Sequence, residues 1–267
     1  MIYFVATPIG NLKDISLRAL EVLRGADVIF CEDTRHSLKL LNAYEIKKPL
    51  YSCHKFNERE AAEKILSASV SGKQVAVISD AGMPVISDPG NIVCKILRDA
   101  GEPFTVIPGA NAALSALVLS AMPADRFAFI GFLPDKVGEK RRLLEKYKNL
   151  ELTLIFHIAP QDLDRDICAV YEVFGDREAC VVREITKLHE EAVHFKLSQG
   201  FKGEARGEFV LIVAGAALEN PLNSLTAEEH LSRYIAGGMD KKEAIKLVAK
   251  ERGVPKSEIY KIALQID

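Results

Sequence analysis

The feature that most constrains the fold is an apolar run that ends abruptly in a polar loop. Val75–Ile78 is apolar at every position, and residues 79–90 follow with two aspartates, two glycines and two prolines. Such a run is typical of a strand that is buried on both faces of a parallel sheet. Open α/β sheets bind ligands at the carboxyl ends of their strands. The sequence therefore predicts a ligand loop at 79–90, although an ordinary strand-to-helix connection has the same composition.

The same arrangement recurs in the first half of the chain. Apolar runs also precede the polar or glycine-containing segments 7–12, 32–37 and 107–111. Strands that alternate with helical periodicity predict a mostly parallel sheet covered on both faces. All four loops then lie along one edge of that sheet. Glycines let the backbone approach a ligand closely, so these loops suit a nucleoside held by backbone amides and carbonyls.

The sequence divides into three regions of different character. The second region contains short elements rich in strands, which indicates that its strands pair in an antiparallel or mixed sheet. Three short helices are expected near the end of the chain, at 226–237, 240–252 and 255–265. We predict an α/β domain with the ligand loops at 1–115, a second α/β domain that closes a cleft at 116–217, and a helix-turn-helix-like segment at 218–267.

Composition and missing motifs exclude several classes of protein. The net charge of −2 over 267 residues means that contact with nucleic acid requires local basic patches. The five cysteines are scattered, which favours a reducing compartment. The sequence does not begin like a leader peptide, and no apolar run approaches the ~20 residues of a membrane helix. We therefore expect a cytoplasmic protein.

Motifs for metals and nucleotide phosphates are not found either. Thr7–Leu12 has one glycine where a dinucleotide fingerprint has three, and the segment 72–74 is not a P-loop. His189 and His194 are five residues apart, which separates them by roughly 140° on a helix. We therefore expect no metal site.

Four segments together resemble one family. They are Ala6–Leu12, Cys31–Arg35, Ser79–Gly90 and Arg183–Lys187. The chain resembles the ribosomal RNA small subunit methyltransferase I family of the tetrapyrrole methylase superfamily over about residues 2–216, and its C-terminal helices resemble the tail of that family. The resemblance implies a two-domain tetrapyrrole-methylase-like fold, S-adenosylmethionine (AdoMet) in the cleft, and a homodimer. It also implies 2′-O-methylation of a cytidine in 16S rRNA of the small ribosomal subunit.

The resemblance also assigns residues to the cofactor. Those implied to frame AdoMet are Pro8, Asp80, Ala81, Gly82, Met83, Asn111 and Ala112, with Phe156 and Ala214 closing over its adenine. The chain departs from the family pattern at two places. Met83 stands where the family usually has threonine, and residues 157–162 lack the Glu, His and Arg that the family carries there.

Four charged residues are candidates for catalysis in such a cleft: Lys187, Glu184, Asp33 and Arg35. A ribose hydroxyl is a poor nucleophile, so a base or a cation near it would accelerate its attack. A desolvated lysine either accepts the proton or stays charged and stabilises the developing alkoxide. Lys187 is the first candidate and Glu184 the second. The alternative is that these charges form structural ion pairs.

Two basic patches are candidates for contact with RNA phosphates. They are formed by Lys136, Lys140, Arg141 and Arg142, and by Lys242, Lys246 and Lys250. The lysines of the second patch recur every four residues and share one helix face, which is also typical of a solvated surface. Two other functions stay open: methylation of a tetrapyrrole, and a non-catalytic RNA-binding role in ribosome assembly.

Overall fold

The computed structural model describes residues 1–217, 222 and 225–265, in two compact units, Met1–Ala216 and Ala217–Asp267. The first half of the larger unit contains β1 Ile2–Val5, α1 Leu17–Gly25, β2 Val28–Cys31, α2 Thr34–Ala43, β3 Leu50–Ser52, α3 Glu58–Val70, β4 Val75–Ile78, α4 Asn91–Asp99, β5 Phe104–Ile107 and α5 Ala112–Leu119. Its second half contains β6 Phe127–Phe132, α6 Val137–Glu145, β7 Thr153–Ile158, α7 Leu163–Phe174, β8 Glu178–Arg183, β9 Glu191–Lys196 and β10 Phe209–Val213. The smaller unit contains α8 Ala227–Ala236, α9 Lys241–Arg252 and α10 Lys256–Ala263.

The first sheet is parallel throughout and has the strand order β3-β2-β4-β1-β5. β4 lies at its centre, with all four residues buried. Val75 and Val77 pack with helices on one face, and Ala76 and Ile78 pack with helices on the other. Burial on both faces explains why the strand is apolar at every position. The loops after β1, β2, β4 and β5 therefore gather at one edge, as the sequence predicts.

The second sheet is mixed, with the order β6-β7-β10-β8-β9. Only the β6–β7 pair is parallel among its described pairs, which confirms the predicted mixed sheet. α7 packs on one face of this sheet, and α5 packs on the other through Ala113, Ala116 and Leu117. The predicted domain boundary between residues 115 and 116 falls inside α5, so the helix that links the two sheets belongs to the core of the second. The division into three domains stays a prediction.

The smaller unit has its own apolar core. Leu231, Val248 and Ile259 are fully buried among its three helices, whose ends lie within two residues of those predicted. His230 is also buried, and its Nε2 lies 3.0 Å from a carboxylate oxygen of Glu251. No helix in the described part of the chain is long and apolar enough to cross a bilayer.

Candidate cofactor site and its neighbouring cavity

The loops after β1 and β4 are joined by a two-residue bridge. The Thr7 amide donates to the Gly82 carbonyl at 2.9 Å, and the Gly82 amide donates to the Thr7 carbonyl at 3.0 Å. Gly82 has φ +78°, and a Cβ there would lie 3.2 Å from Cγ2 of Ile9. Both facts favour glycine, because other residues are strained at this φ and the space is filled. The bridge fixes the start of the 79–90 loop.

The rest of that loop has a strained backbone. Val85 and Ser87 have φ values of 77° and 67°, a region that non-glycine residues rarely adopt. The loop is held at its end by Glu58, whose carboxylate accepts hydrogen bonds from the Gly90 amide at 2.8 Å and the Ile92 amide at 2.6 Å. Strain of this kind persists only where surrounding contacts enforce it, and it is concentrated at ligand sites.

A cavity of ≈350 Å³, the main cavity, lies against this loop. It is lined by Ile9, Asp80, Ala81, Gly82, Met83, Ile86, Ser87, Asp88, Asn111, Ala112, Ala113, Phe132, His157, Ile158, Ala159, Pro160, Glu208, Phe209 and Val210. Six of the residues that the resemblance assigns to the cofactor are among them, namely Asp80, Ala81, Gly82, Met83, Asn111 and Ala112. Pro8 lines a second cavity beside it instead. Elements from both sheets thus form one concave site.

Neither of the two expected adenine contacts, Phe156 and Ala214, lines this cavity. Phe156 is 0% exposed and packs in the core beside Phe174. Side chains alternate along a strand, and in β7 it is the next residue, His157, that lines the cavity. Ala214 follows β10, whereas the cavity is lined by Glu208–Val210 at the start of that strand. At ~3.4 Å per residue this is more than 10 Å away. The structure therefore does not bring Phe156 or Ala214 together with the other expected cofactor residues.

His157 is a wall residue that the sequence analysis did not single out. Its ring makes edge contacts with Phe129 and Phe132, at centroid distances of 4.9 and 5.3 Å. Burial lowers the pKa of His157, so the imidazole is neutral at pH 7. Its Nε2 is buried and has no hydrogen-bond partner in the described part of the chain. A buried polar atom without a partner is rare and costly, and a bound ligand could satisfy it. Its only sequence signal is its place in the divergent segment 157–162.

The main cavity carries an excess of negative charge. Asp80, Asp88 and Glu208 are all in its lining. The Asp33 amide donates to a carboxylate oxygen of Asp80 at 3.1 Å, which fixes that side chain. Burial and the nearby carboxylates of Glu32 and Asp80 raise the pKa of Asp88 to about 6. The site therefore favours a ligand with positive charge.

The shifted pKa of Asp88 predicts a pH dependence of stability. Its pKa is about 6 in the fold against an ordinary value of 3.8. A raised pKa adds stability that is present below pH 3.8 and is lost as pH rises through 6. Because the carboxyl is only half-buried, we expect a loss of about 1–2 kcal/mol. Urea unfolding from pH 4 to 7.5 should show this loss in the wild type and in Asp164→Asn, an exposed control. Asp88→Asn should lack it, and an equal loss in Asp88→Asn would contradict the assignment.

A second cavity, the neighbouring cavity, has a volume of ≈310 Å³. It is lined by Pro8, Ile9, Gly10, Leu12, His36, Lys39, Leu40, Asp80, Ala81, Lys187 and Glu208. Four of these residues also line the main cavity, namely Ile9, Asp80, Ala81 and Glu208. The two cavities are therefore contiguous.

Lys187 lies in the wall of the neighbouring cavity. Its Nζ is 3.0 Å from Oε1 of Glu184 and 3.3 Å from Oε2 of Glu208. Burial lowers the pKa of Lys187, but hydrogen bonds to the two carboxylates outweigh burial and raise it overall. The same pairing lowers the pKa of Glu184. Lys187 is thus an ammonium at neutral pH, and of the two roles considered for it, stabilising a developing anion fits and accepting a proton does not.

The other two catalytic candidates, Asp33 and Arg35, line neither cavity. Their side chains pair with each other at 2.8 Å, and Arg35 is 88% exposed. Asp33 caps the amino terminus of α2 by accepting a hydrogen bond from the Arg35 amide at 2.8 Å. This pairing lowers the pKa of Asp33 to about 2. The contacts explain both residues as local structure. Among the described residues, Asp33 is joined to the site through the hydrogen bond from its amide to Asp80.

One residue of the first basic patch is not at the surface. Lys140 is 2% exposed, and its ammonium pairs with the buried carboxylate of Asp166 in α7. It cannot contact RNA in this structure, so its assignment is corrected. The other residues of both patches are exposed, namely Lys136, Arg141, Arg142, Lys242, Lys246 and Lys250. They stay candidates for RNA contact.

Comparison with known proteins gives the class of this fold. The family "Tetrapyrrole (Corrin/Porphyrin) Methylases" matches residues 1–199. A solved structure of uroporphyrin-III C-methyltransferase from Thermus thermophilus, complexed with S-adenyl homocysteine, is similar in fold, with a TM-score of 0.57 and 19% identity over 80% of this chain and 96% of that one. The methyltransferase CobJ is similar too, with a TM-score of 0.62 and 17% identity over 81% of this chain and 94% of that one. The chain therefore has the fold of the tetrapyrrole methylases.

Curated relatives narrow the class to one family. Ribosomal RNA small subunit methyltransferase I from Bacillus subtilis is 43% identical over 97% of this chain and 92% of its own length. The protein of the same name from Pseudomonas aeruginosa is 38% identical over 99% of this chain and 96% of its own length. The chain belongs to the ribosomal RNA small subunit methyltransferase I family, as its sequence motifs predict.

Proposed function

We propose that this protein is an AdoMet-dependent methyltransferase that methylates the 2′-oxygen of a cytidine ribose in 16S rRNA of the small ribosomal subunit. The observation that carries this proposal is the pair of contiguous cavities. One is acidic and is built by the loop that carries the family motif, and the other contains the ammonium of Lys187. The name shared by the relatives supports ribosomal RNA of the small subunit as the substrate.

The main cavity fits AdoMet in size and chemistry. Its ≈350 Å³ lies in the range of ~300–1,000 Å³ that is usual for small-molecule sites. AdoMet carries a sulfonium and an ammonium, and Asp80, Asp88 and Glu208 offer compensating charge. Nε2 of His157 offers an unused hydrogen-bonding atom. Asn111 caps α5 by accepting a hydrogen bond from the Leu114 amide at 2.9 Å, which holds its side chain at the cavity wall.

The chain's own residues act chiefly by position and charge. AdoMet supplies an activated methyl group when bound, so the protein must align the ribose hydroxyl with it. The ammonium of Lys187 stabilises negative charge on the 2′-oxygen as its proton leaves. Glu208 lines both cavities, lies 3.3 Å from Lys187 Nζ, and is the carboxylate placed to accept that proton at Oε2. The sequence analysis did not identify Glu208, because it precedes β10 rather than following a parallel strand.

A labelling experiment separates this function from the two alternatives. Purified protein is incubated with methyl-labelled AdoMet and small subunits from a strain that lacks the activity, and in parallel with uroporphyrinogen III. We expect label in 16S rRNA alone. Label in the tetrapyrrole, or AdoMet binding without any transfer to RNA, would contradict the proposal. The cytoplasmic location and the homodimer stay predictions.

A further inference from the structure

One wall of the neighbouring cavity is a face of α2 that carries two basic side chains. His36, Lys39 and Leu40 line the cavity at positions i, i+3 and i+4, so they share one face of the helix. Both His36 and Lys39 are exposed. Within the described residues neither side chain has an ion pair or a hydrogen bond. They differ in this from Lys187, which lines the same cavity and whose ammonium is held by Glu184 and Glu208.

The neighbouring cavity adjoins the main cavity along one wall. Methyl transfer is an in-line displacement, so the attacking oxygen has to face the donor across a short gap. Ile9, Asp80, Ala81 and Glu208 line both cavities, so the two cavities adjoin at these residues. The remaining wall is formed by Pro8, Gly10 and Leu12. A Cβ at Gly10 would lie 2.8 Å from Cγ and Cε of Lys187, so the lysine stem packs directly on this wall.

The two cavities share the carboxylates of Asp80 and Glu208, but of the two only the neighbouring cavity also contains lysine side chains. Carboxylates dominate the main cavity, where Asp88 adds to Asp80 and Glu208. The neighbouring cavity adds cationic Lys39 and Lys187, and the imidazole of His36, which can donate a hydrogen bond in either protonation state. The ammonium of Lys187 is held by Glu184 and Glu208, whereas that of Lys39 has no such partner among the described residues and is available to neutralise a phosphate.

We propose that the neighbouring cavity is the acceptor subsite, in which His36 and Lys39 bind the RNA phosphates that flank the target ribose. This inference rests on the proposed function and specifies its substrate site. Phosphate contacts of this kind fix the register of the strand without reading its sequence. They place the 2′-hydroxyl beside the ion pair of Lys187 and Glu208.

The test uses the full-length protein and three variants: Lys39→Gln, the double variant that combines His36→Gln with Lys39→Gln, and Lys47→Gln. Lys47 is an exposed lysine of the same unit that lines neither cavity, so its variant is a matched control for charge. We expect the double variant to raise KM for small subunits by at least ~10-fold and to weaken direct binding of subunits. The logarithm of the binding constant falls linearly with the logarithm of the salt concentration. We expect Lys39→Gln to reduce the magnitude of this slope by about one, the value for one lost phosphate contact. AdoMet affinity, measured by calorimetry, should stay within about twofold of wild type.

The outcomes separate this inference from the proposed function. If wild-type protein transfers no methyl group to RNA, the proposed function fails. Comparing how tightly the wild type and the variants bind small subunits still tests the phosphate contacts. If the variants at 36 and 39 match Lys47→Gln in both KM and salt slope, the acceptor subsite is overturned. A loss of AdoMet affinity in Lys39→Gln would also overturn it, because the residue would then belong to the cofactor site.

Discussion

Replacing Lys187 by alanine is expected to lower kcat by at least ~10²-fold and to leave AdoMet affinity within about twofold of wild type. The lysine lines the neighbouring cavity and is absent from the lining of the main one. Its ammonium is held at 3.0 Å from Glu184 and 3.3 Å from Glu208, which keeps it charged at the point where the cavities meet. Its removal takes away the cation that stabilises the developing alkoxide and leaves the bridge between Thr7 and Gly82 in place.

Two further variants separate charge from packing. Lys187→Met keeps the aliphatic stem that packs against Gly10 and removes only the charge, so its kcat should be as low as that of Lys187→Ala. Lys196→Ala is the matched control, because Lys196 also pairs with a carboxylate, that of Glu178 at 2.9 Å, and lines neither cavity. Single-turnover rates with small subunits measure the effect, and thermal unfolding checks that the variants fold. A near-wild-type rate in Lys187→Met would show that the lysine is a structural ion-pair partner.

Gly82→Ala is expected to weaken AdoMet binding by at least ~10-fold, since small displacements at a pre-formed site are costly. The new Cβ would lie 3.2 Å from Cγ2 of Ile9, and the residue would have to keep φ +78°. Both effects disturb the backbone bridge to Thr7 that fixes the ligand loop. The ~1 kcal/mol typical of a non-glycine residue in this conformation should appear as lost stability.

Gly72→Ala is a control with the same backbone strain. Gly72 has φ +84°, but no atom lies within 4 Å of the position of its Cβ, and it lies at the opposite end of β4 from the ligand loop. Both variants should lose similar stability in urea unfolding, and only Gly82→Ala should lose affinity for AdoMet in calorimetry. Equal affinities in the two variants would show that the 79–90 loop does not contact the cofactor.

Much of the first sheet and its site could be predicted, because the local sequence determines which strands are buried and where their loops begin. A fully apolar strand such as Val75–Ile78 has to be buried on both faces, and parallel strands bring their carboxyl ends to one edge. Asp80, Gly82 and Asn111 were identified on that basis together with the family motifs, and all three line the main cavity.

The residues that the sequence misplaced are those whose position depends on packing between segments distant in sequence. Lys140 reads as part of an exposed basic patch, yet it pairs in the interior with Asp166, 26 residues away. In the second sheet, β10 runs antiparallel to β7, which brings its first residues beside the end of β7. Glu208 therefore enters the site and Ala214 does not. Which of Phe156 and His157 faces the cavity depends on the register of β7, and composition does not determine that register.

The most direct test of the central claim is the position of the transferred methyl group in 16S rRNA. Alkaline hydrolysis of RNA requires a free 2′-oxygen, so a 2′-O-methyl group protects the next phosphodiester. After reaction of wild-type protein with labelled AdoMet and small subunits, label should be recovered in an alkali-stable dinucleotide whose first nucleoside is cytidine. Recovery of the label in a mononucleotide, which places the methyl group on a base, would contradict the ribose as the acceptor.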